Sequence, residues 1–314
     1  WAQLYERLFS VDLDPECEIV PLLGSKEGIF HFTLANAEAD DVMLISEPAY
    51  PIYAQAARFV GAQVVLLPSD EVHGFLPDFN AIPPEVARRA RLLWLNYPNN
   101  PTGALATLDF FERAIDFARK HDVILCHDAA YCQVTFDGYR APSPLQIEGA
   151  RAVTVEFNSL SKSHNMAGWR VGVVVGGEEL VASVRKLRPN VYSGQFKPIT
   201  DAATAALNGD QSWLDERNEI YRRRRDMILE SLNALGVEPA VPQAALYVWM
   251  PIPEGWTADD FTSALLQATG VSLTPGTVFG ESGEGYARIS LGAASERIEE
   301  GMGRFTEWWR ANIR

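Results

Sequence analysis

Six short apolar runs punctuate the first 180 residues. They are "DVMLIS" (41–46), "AQVVLLP" (62–68), "RLLWLNYP" (91–98), "DVILCHD" (122–128), "AVTVEF" (152–157) and "VGVVVGG" (171–177). None alternates strictly between apolar and polar residues, so each reads as a strand buried on both faces. Helical patterns lie between several of them. "PIYAQAARFVG" stops at Gly61, a residue suited to a C-cap. "TLDFFERAIDFARKHD" sets Phe111, Ile115 and Ala118 on one face, with Thr107 as its N-cap. Strand and helix in alternation require a mostly parallel sheet with helices packed on it, an α/β fold. At 314 residues and 47% hydrophobic content, the chain can bury a large core in one or two domains.

The pattern changes after about residue 208. "DQSWLDERNEIYRRRRDMILESLNALG" reads as one long helix, with Trp213, Ile220, Ile228, Leu232 and Leu235 near one stripe and Gly236 at its end. Strand-like "AALYVWMPI", helical "ADDFTSALLQATG", strand-like "VSLTP" and "YARISLG", and a final helix "SERIEEGMGRFTEWWRANIR" follow. Two units are therefore expected: residues 1–208 and a smaller α+β unit over 209–314. The four arginines of "YRRRRD" point around their helix, so they read as a solvated, ion-paired surface. Trp308 and Trp309 read as core or interface packing. "GTVFGESGEG" has the wrong glycine spacing for a dinucleotide site and precedes a strand.

Net charge of −14 makes nucleic acid and anionic membranes poor partners. No apolar run approaches the roughly 18 residues of a membrane helix. Three cysteines, Cys17, Cys126 and Cys132, suggest no disulfide framework, and a cytoplasmic setting is expected. Trp1 stands where an initiator methionine would, and "WAQLYERLFS" reads as helix with no cap before it, so a preceding segment is expected.

Four stretches carry chemistry. In "LLGSKEGIF" (22–30), a strand turns through Gly24, Ser25 and Lys26 into a helix, which aims free N–H groups at an anion. An ordinary capped helix would look the same. "NYPNNPTG" (96–103) forces a loop at a strand end, where α/β sheets bind ligands, and presents Asn100. "CHDAAY" (126–131) closes a buried strand with Asp128 and places Tyr131 three residues on. Alone, Asp128 could be a helix cap; it could also ion-pair with a protonated ring nitrogen, with a phenol nearby for a ring oxygen. "EFNSLSKSHNMAGWRVG" (156–172) holds Lys162 among Ser159, Ser161 and Arg170. A lysine attacks carbonyls only when neutral, and the serines and the guanidinium suit a phosphate. A solvated loop is the alternative for any one lysine.

The four together have one joint explanation: a phosphate site, a pyridinium partner, a phenolate partner and a carbonyl-condensing lysine are the needs of pyridoxal phosphate. The chain resembles the fold-type I, class I/II aminotransferases, through "NNPTG", "D-x-x-Y", "S-x-S-K" with "GWRVG", and "ARISLG", in that order. Asn100 precedes Asp128 by 28 residues and Lys162 precedes Arg170 by 8, as in that family. The resemblance covers essentially the whole chain. It implies a seven-stranded, mostly parallel sheet in the large cofactor-binding domain.

The resemblance also implies roles. Lys162 anchors pyridoxal 5'-phosphate covalently and then carries protons. Asp128 keeps the pyridine nitrogen protonated, and Tyr131 and Asn100 hydrogen-bond the ring oxygen. Ser25, Lys26, Ser159 and Arg170 hold the phosphate, and Tyr50 stacks on the ring. Arg288 clamps the substrate α-carboxylate, and Asn100 also contacts the substrate. The reaction is a ping-pong exchange between an amino acid and a 2-oxo acid, with 2-oxoglutarate and glutamate as the expected pair. A homodimer with shared active sites is implied, with residues 188–196 facing the partner. No metal is implied.

Family members carry a longer segment before "GSKEG", bearing an arm, a glycine-containing substrate loop and a tyrosine that reaches the partner's phosphate. "GSKEGI", "LLWLNYPNNPTGALA", "NVYSGQF" and "YVWMPIPEG" are similar to the branch holding LL-diaminopimelate aminotransferases, which points to lysine biosynthesis. A C–S β-lyase on the same scaffold would share every motif. A third reading is the effector-sensing half of a transcription regulator that fuses this fold to a winged helix; the carboxylate clamp with the complete cofactor set favours the enzymes.

Overall fold

The computed structural model describes residues 1–313. The six apolar runs become β2 (Val42–Glu47), β3 (Gln63–Pro68), β4 (Ala90–Asn96), β5 (Ile124–Asp128), β6 (Thr154–Ser159) and β7 (Gly172–Gly176). A seventh strand, β1 (Ile19–Leu22), completes the sheet. It is only four residues long and contains Pro21, so it leaves little pattern to read. The strand order is β1-β7-β6-β5-β4-β2-β3. All pairings from β3 across to β6 are parallel, and β7 is antiparallel to both β6 and β1. One strand, β7, thus runs against the other six. Burial on both faces holds along β2, β4, β5, β6 and β7. It fails at β3, where Gln63, Leu66 and Pro68 are exposed, because β3 is a sheet edge.

The helices are α1 (Ala2–Phe9), α2 (Ser25–Asn36), α3 (Ile52–Val60), α4 (Pro84–Ala87), α5 (Leu108–His121), α6 (Leu160–Ser163), α7 (Glu178–Leu187), α8 (Lys197–Asn208), α9 (Ser212–Asn233), α10 (Ala258–Thr269) and α11 (Ser295–Asn312). The expected caps form: Gly61 closes α3 at φ 79°, and the Thr107 hydroxyl accepts the Phe110 N–H at 3.2 Å. Helices cover both sheet faces. Leu93, Leu95 and Leu125 pack with Phe110, Phe111 and Ile115 of α5 on one face. Met43, Trp94 and Phe157 pack with Phe32, Tyr53 and Val181 on the other. Each such side chain contributes about 1.5–3 kcal/mol on burial.

Beyond α8, β8 (Tyr247–Pro251), β9 (Thr274–Pro275) and β10 (Tyr286–Ser290) form an antiparallel sheet in the order β8-β10-β9. β9 is shorter than "VSLTP" suggested. Ile228, Leu232, Val248, Phe261, Phe305, Trp308 and Trp309 share one core with it.

α9 differs from its expected stripe. Its buried face is Leu214, Arg217, Tyr221, Arg225, Ile228 and Leu232, while Ile220 is 45% exposed. One of the four arginines expected at the surface, Arg225, lies inside, as does Arg217, because partners meet them there. The Arg225 guanidinium donates to Asp137 at 2.5 Å and to the Pro242 carbonyl at 2.9 Å. Of the four consecutive arginines, Arg222 and Arg223 keep the solvated ladder, both paired with Glu219. Among the described residues, no helix is long and apolar enough to cross a membrane.

Candidate active site

The carboxyl ends of β4, β5 and β6 bring the chemistry together, as parallel strands do. Asn96 and Asp128 are register partners at the ends of β4 and β5. The Asn96 amide donates to the Asp128 carbonyl at 2.7 Å, and its oxygen accepts the Asn100 N–H at 2.9 Å. Asn99 ties the loop that follows: its side-chain oxygen accepts both the N–H and the hydroxyl of Thr102, at 3.0 and 2.8 Å. The loop is therefore a rigid carrier for Asn100, which is 4% exposed.

Asp128 is buried. Its Oδ2 accepts the Tyr53 hydroxyl at 2.8 Å and its Oδ1 accepts the Ala130 N–H at 3.2 Å. Burial raises its carboxyl above the ordinary 3.8, and the Tyr53 hydrogen bond opposes this. Tyr131 shares a 2.7 Å hydrogen bond with Tyr247 of β8; burial, and then that neighbour, push its phenol well up. Lys162, half-buried on α6, holds Nζ 5.9 Å from the centre of the Tyr131 ring.

Arg288 reaches in from β10. Its Nη1 donates to Asn100 Oδ1 at 2.7 Å and its Nη2 to Thr274 at 3.3 Å. Its guanidinium carbon lies 4.1 Å from the centre of the Tyr247 ring and 4.7 Å from that of Phe279. Its Nε is buried without a partner.

β1 turns into α2 through Gly24, at φ 87° and ψ 153°, and no side chain caps the helix. Arg170 lies across this turn: a Cβ on Gly24 would sit 2.4 Å from Arg170 Nη2. Gly172 lets the turn approach equally closely, since a Cβ there would sit 2.5 Å from the Ser25 nitrogen. Tyr50 is half-buried, with Lys26 Nζ 5.6 Å from its ring centre and Tyr53 edge-on at 6.3 Å. Ser159 caps α6; its hydroxyl donates to the Val171 carbonyl and accepts the Ser161 N–H, each at 3.1 Å.

A single chain of contacts thus runs from Lys162 through Tyr131, Tyr247, Arg288, Asn100, Asn96, Asp128, Tyr53, Tyr50 and Lys26 to the Ser25 turn beneath Arg170. Ser159 stands one step aside, its hydroxyl engaged within the chain. Asn96, Tyr53 and Tyr247 were not anticipated from the sequence. Asn96 had a signal, as the polar end of an apolar strand. The other two lie in helix and strand patterns that explain them without a site.

These residues fit pyridoxal phosphate. Asp128 is a buried carboxylate with no ion-pair partner among the described residues, and a protonated ring nitrogen would be its chemical complement. The Gly24 and Gly172 approaches bare the α2 N-terminus beside a guanidinium, as a phosphate requires. The Arg288 fork keeps an unused donor for a carboxylate.

Comparison with known proteins agrees. Residues 1–305 match the family model described as aminotransferase class I and II. LL-diaminopimelate aminotransferase of Dehalococcoides mccartyi is 47% identical over 307 residues, covering 98% of this chain and 79% of the relative. Apo-BacF from Bacillus subtilis superposes with a TM-score of 0.95 at 35% identity, covering 98% of this chain and 82% of the other. A double mutant of Thermus thermophilus aspartate aminotransferase gives 0.90 at 29% identity, covering 98% and 79%. The chain belongs to the class I and II aminotransferases and is a pyridoxal-phosphate-dependent transaminase.

Proposed function

We propose that this transaminase takes the amino group of LL-diaminopimelate and passes it to 2-oxoglutarate, in lysine biosynthesis. The observation that carries the substrate is the 47% identity, over 98% of the chain, to a relative bearing that name.

The bound cofactor supplies an electron-withdrawing ring and a carbonyl that accepts and returns the amino group. The chain's own residues do the rest. Lys162 Nζ anchors the cofactor and moves the proton at the substrate α-carbon. Asp128, oriented by Tyr53 and the Ala130 N–H, holds the proton on the ring nitrogen. The Tyr131 hydroxyl and the Asn100 amide hydrogen-bond the ring oxygen, and Tyr50 covers the ring face. The N–H groups of Ser25 and Lys26 and the Arg170 fork hold the phosphate, and Ser159 would join them by turning its hydroxyl away from the Val171 carbonyl. Arg288 binds the α-carboxylate shared by every amino acid and 2-oxo acid, with Asn100 fixing the fork.

On this reading, residues 1–208 hold the cofactor and 209–314 bring the carboxylate clamp. The chain works as a cytoplasmic homodimer. Trp169, Val191 and Phe196 are exposed, at 46, 51 and 71%. Trp169 precedes Arg170 in the chain and Phe196 follows Gln195, which donates to the Arg170 carbonyl, and these apolar side chains support pairing at this edge. Sedimentation of the loaded protein tests the pairing.

The test of function is a visible spectrum with pyridoxal phosphate, before and after LL-diaminopimelate. A cofactor band that converts to the amino form and returns with 2-oxoglutarate is expected. A band that ignores LL-diaminopimelate but responds to another amino acid would sink the substrate assignment.

A further inference from the structure

α9 brings a cation to the back of the lysine's own helix. Arg217 is 6% exposed, and no carboxylate lies within ion-pair distance of it among the described residues. Two turns on, Arg225 has Asp137 and Asp226. The Arg217 guanidinium is spent on carbonyls instead. Nη1 donates to Lys162 O at 3.0 Å and to Ser163 O; Nη2 donates to Gln133 O at 2.7 Å and to Asn218 Oδ1 at 2.7 Å. The rings of Trp213 and Tyr221 lie 5.7 and 5.8 Å away. Burial pulls its pKa down to about 10, which leaves it cationic at neutral pH.

A lone buried cation is costly, so its geometry calls for a reason. α6 is a single turn, and its last carbonyls have no helical partner. A guanidinium satisfies two of them and complements the helix dipole. The same fork holds the carbonyl two residues past Tyr131. We propose that Arg217 is a positioning residue for transamination, fixing from behind the backbone of Lys162 and of the Tyr131–Gln133 turn. It thereby keeps Nζ and the Tyr131 phenol in register during proton transfer. The inference rests on Lys162 being the anchoring lysine. A lysine at 217 could not replace it, because a point charge on a flexible stem cannot span carbonyls on two segments.

The test uses the full chain loaded with pyridoxal phosphate, as wild type, Arg217→Lys and Arg217→Ala. Both variants should lose about 100-fold in kcat, the scale of a misplaced catalytic group, with KM within about two-fold. The visible circular dichroism of the bound cofactor should change in both. Millimolar guanidinium should restore kcat and dichroism in Arg217→Ala but leave Arg217→Lys and wild type unmoved. Turnover and dichroism like wild type in both variants would overturn the proposal. So would a loss that tracks melting temperature and ignores guanidinium, since that marks a merely structural residue. Borohydride reduction and peptide mapping of wild type separate the premise: cofactor fixed anywhere but Lys162 removes the reading beneath.

Discussion

At Asp128, burial disfavours the charge that a protonated ring nitrogen would favour. Burial raises its carboxyl above 3.8, so without cofactor the folded chain keeps that proton to higher pH than the unfolded chain does. Its contribution to stability is full below the unfolded pKa and is lost as pH rises through the folded one. Asp128→Asn can keep both partners, donating to the Tyr53 oxygen and accepting from the Ala130 N–H. In cofactor-free protein the variant should melt higher at neutral pH, and the decline in stability with rising pH should flatten. Each tenfold disfavouring of the carboxylate is worth about 1.4 kcal/mol. The same change should weaken cofactor binding. Melting curves between pH 4 and 8 decide the matter; a lower melting point for the variant throughout would refute the account. Asp128 was legible as the polar end of an apolar strand. Its orienting Tyr53 was not, because a tyrosine inside an amphipathic helix pattern reads as core.

At the scale of elements, the turn between β1 and α2 is shaped by what its glycine lacks. Gly24 occupies a backbone region open almost only to glycine, and a Cβ would collide with Arg170. Gly24→Ala should cost about 1–3 kcal/mol in backbone strain. It should also push Arg170 off the α2 N-terminus and weaken pyridoxal phosphate binding at least ten-fold. Urea melts and cofactor titration measure the two effects. Unchanged affinity would show that the cradle is not the phosphate site. "LGSKEG" pointed to this turn, but the identity of the cation laid over it came from "GWRVG", far along the chain. α9 teaches the converse. Period alone favoured a hydrophobic stripe, whereas the buried face includes Arg217 and Arg225 because carbonyls and carboxylates from distant segments meet them.

For the whole molecule, the proposed pairing makes a sharp demand on one exposed side chain. Phe196 is 71% exposed and follows Gln195, whose amide donates to the Arg170 carbonyl. If that edge is covered by a second copy, Phe196→Glu places an unpaired charge in a desolvated contact. The loaded wild type should sediment at twice the chain mass and the variant at the chain mass, with little change in the intramolecular melt. A wild type that sediments as a single chain with cofactor bound would end the proposal.

Sequence alone determined the α/β architecture, because apolar runs without alternation can be buried only inside a layered sheet. It also marked Lys162, Asp128, Asn100 and Arg170, whose motifs are local and whose chemistry is joint. It named Arg288 only through the family resemblance, and it could not decide which contacts between distant segments complete the site. Arg288 meets Asn100 across 188 residues, Tyr247 meets Tyr131 across 116, and Arg217 meets Lys162 across 55. Such contacts leave no trace in periodicity. A guanidinium belongs to a surface or to a core according to whether acceptors surround it, and only the packed chain supplies those.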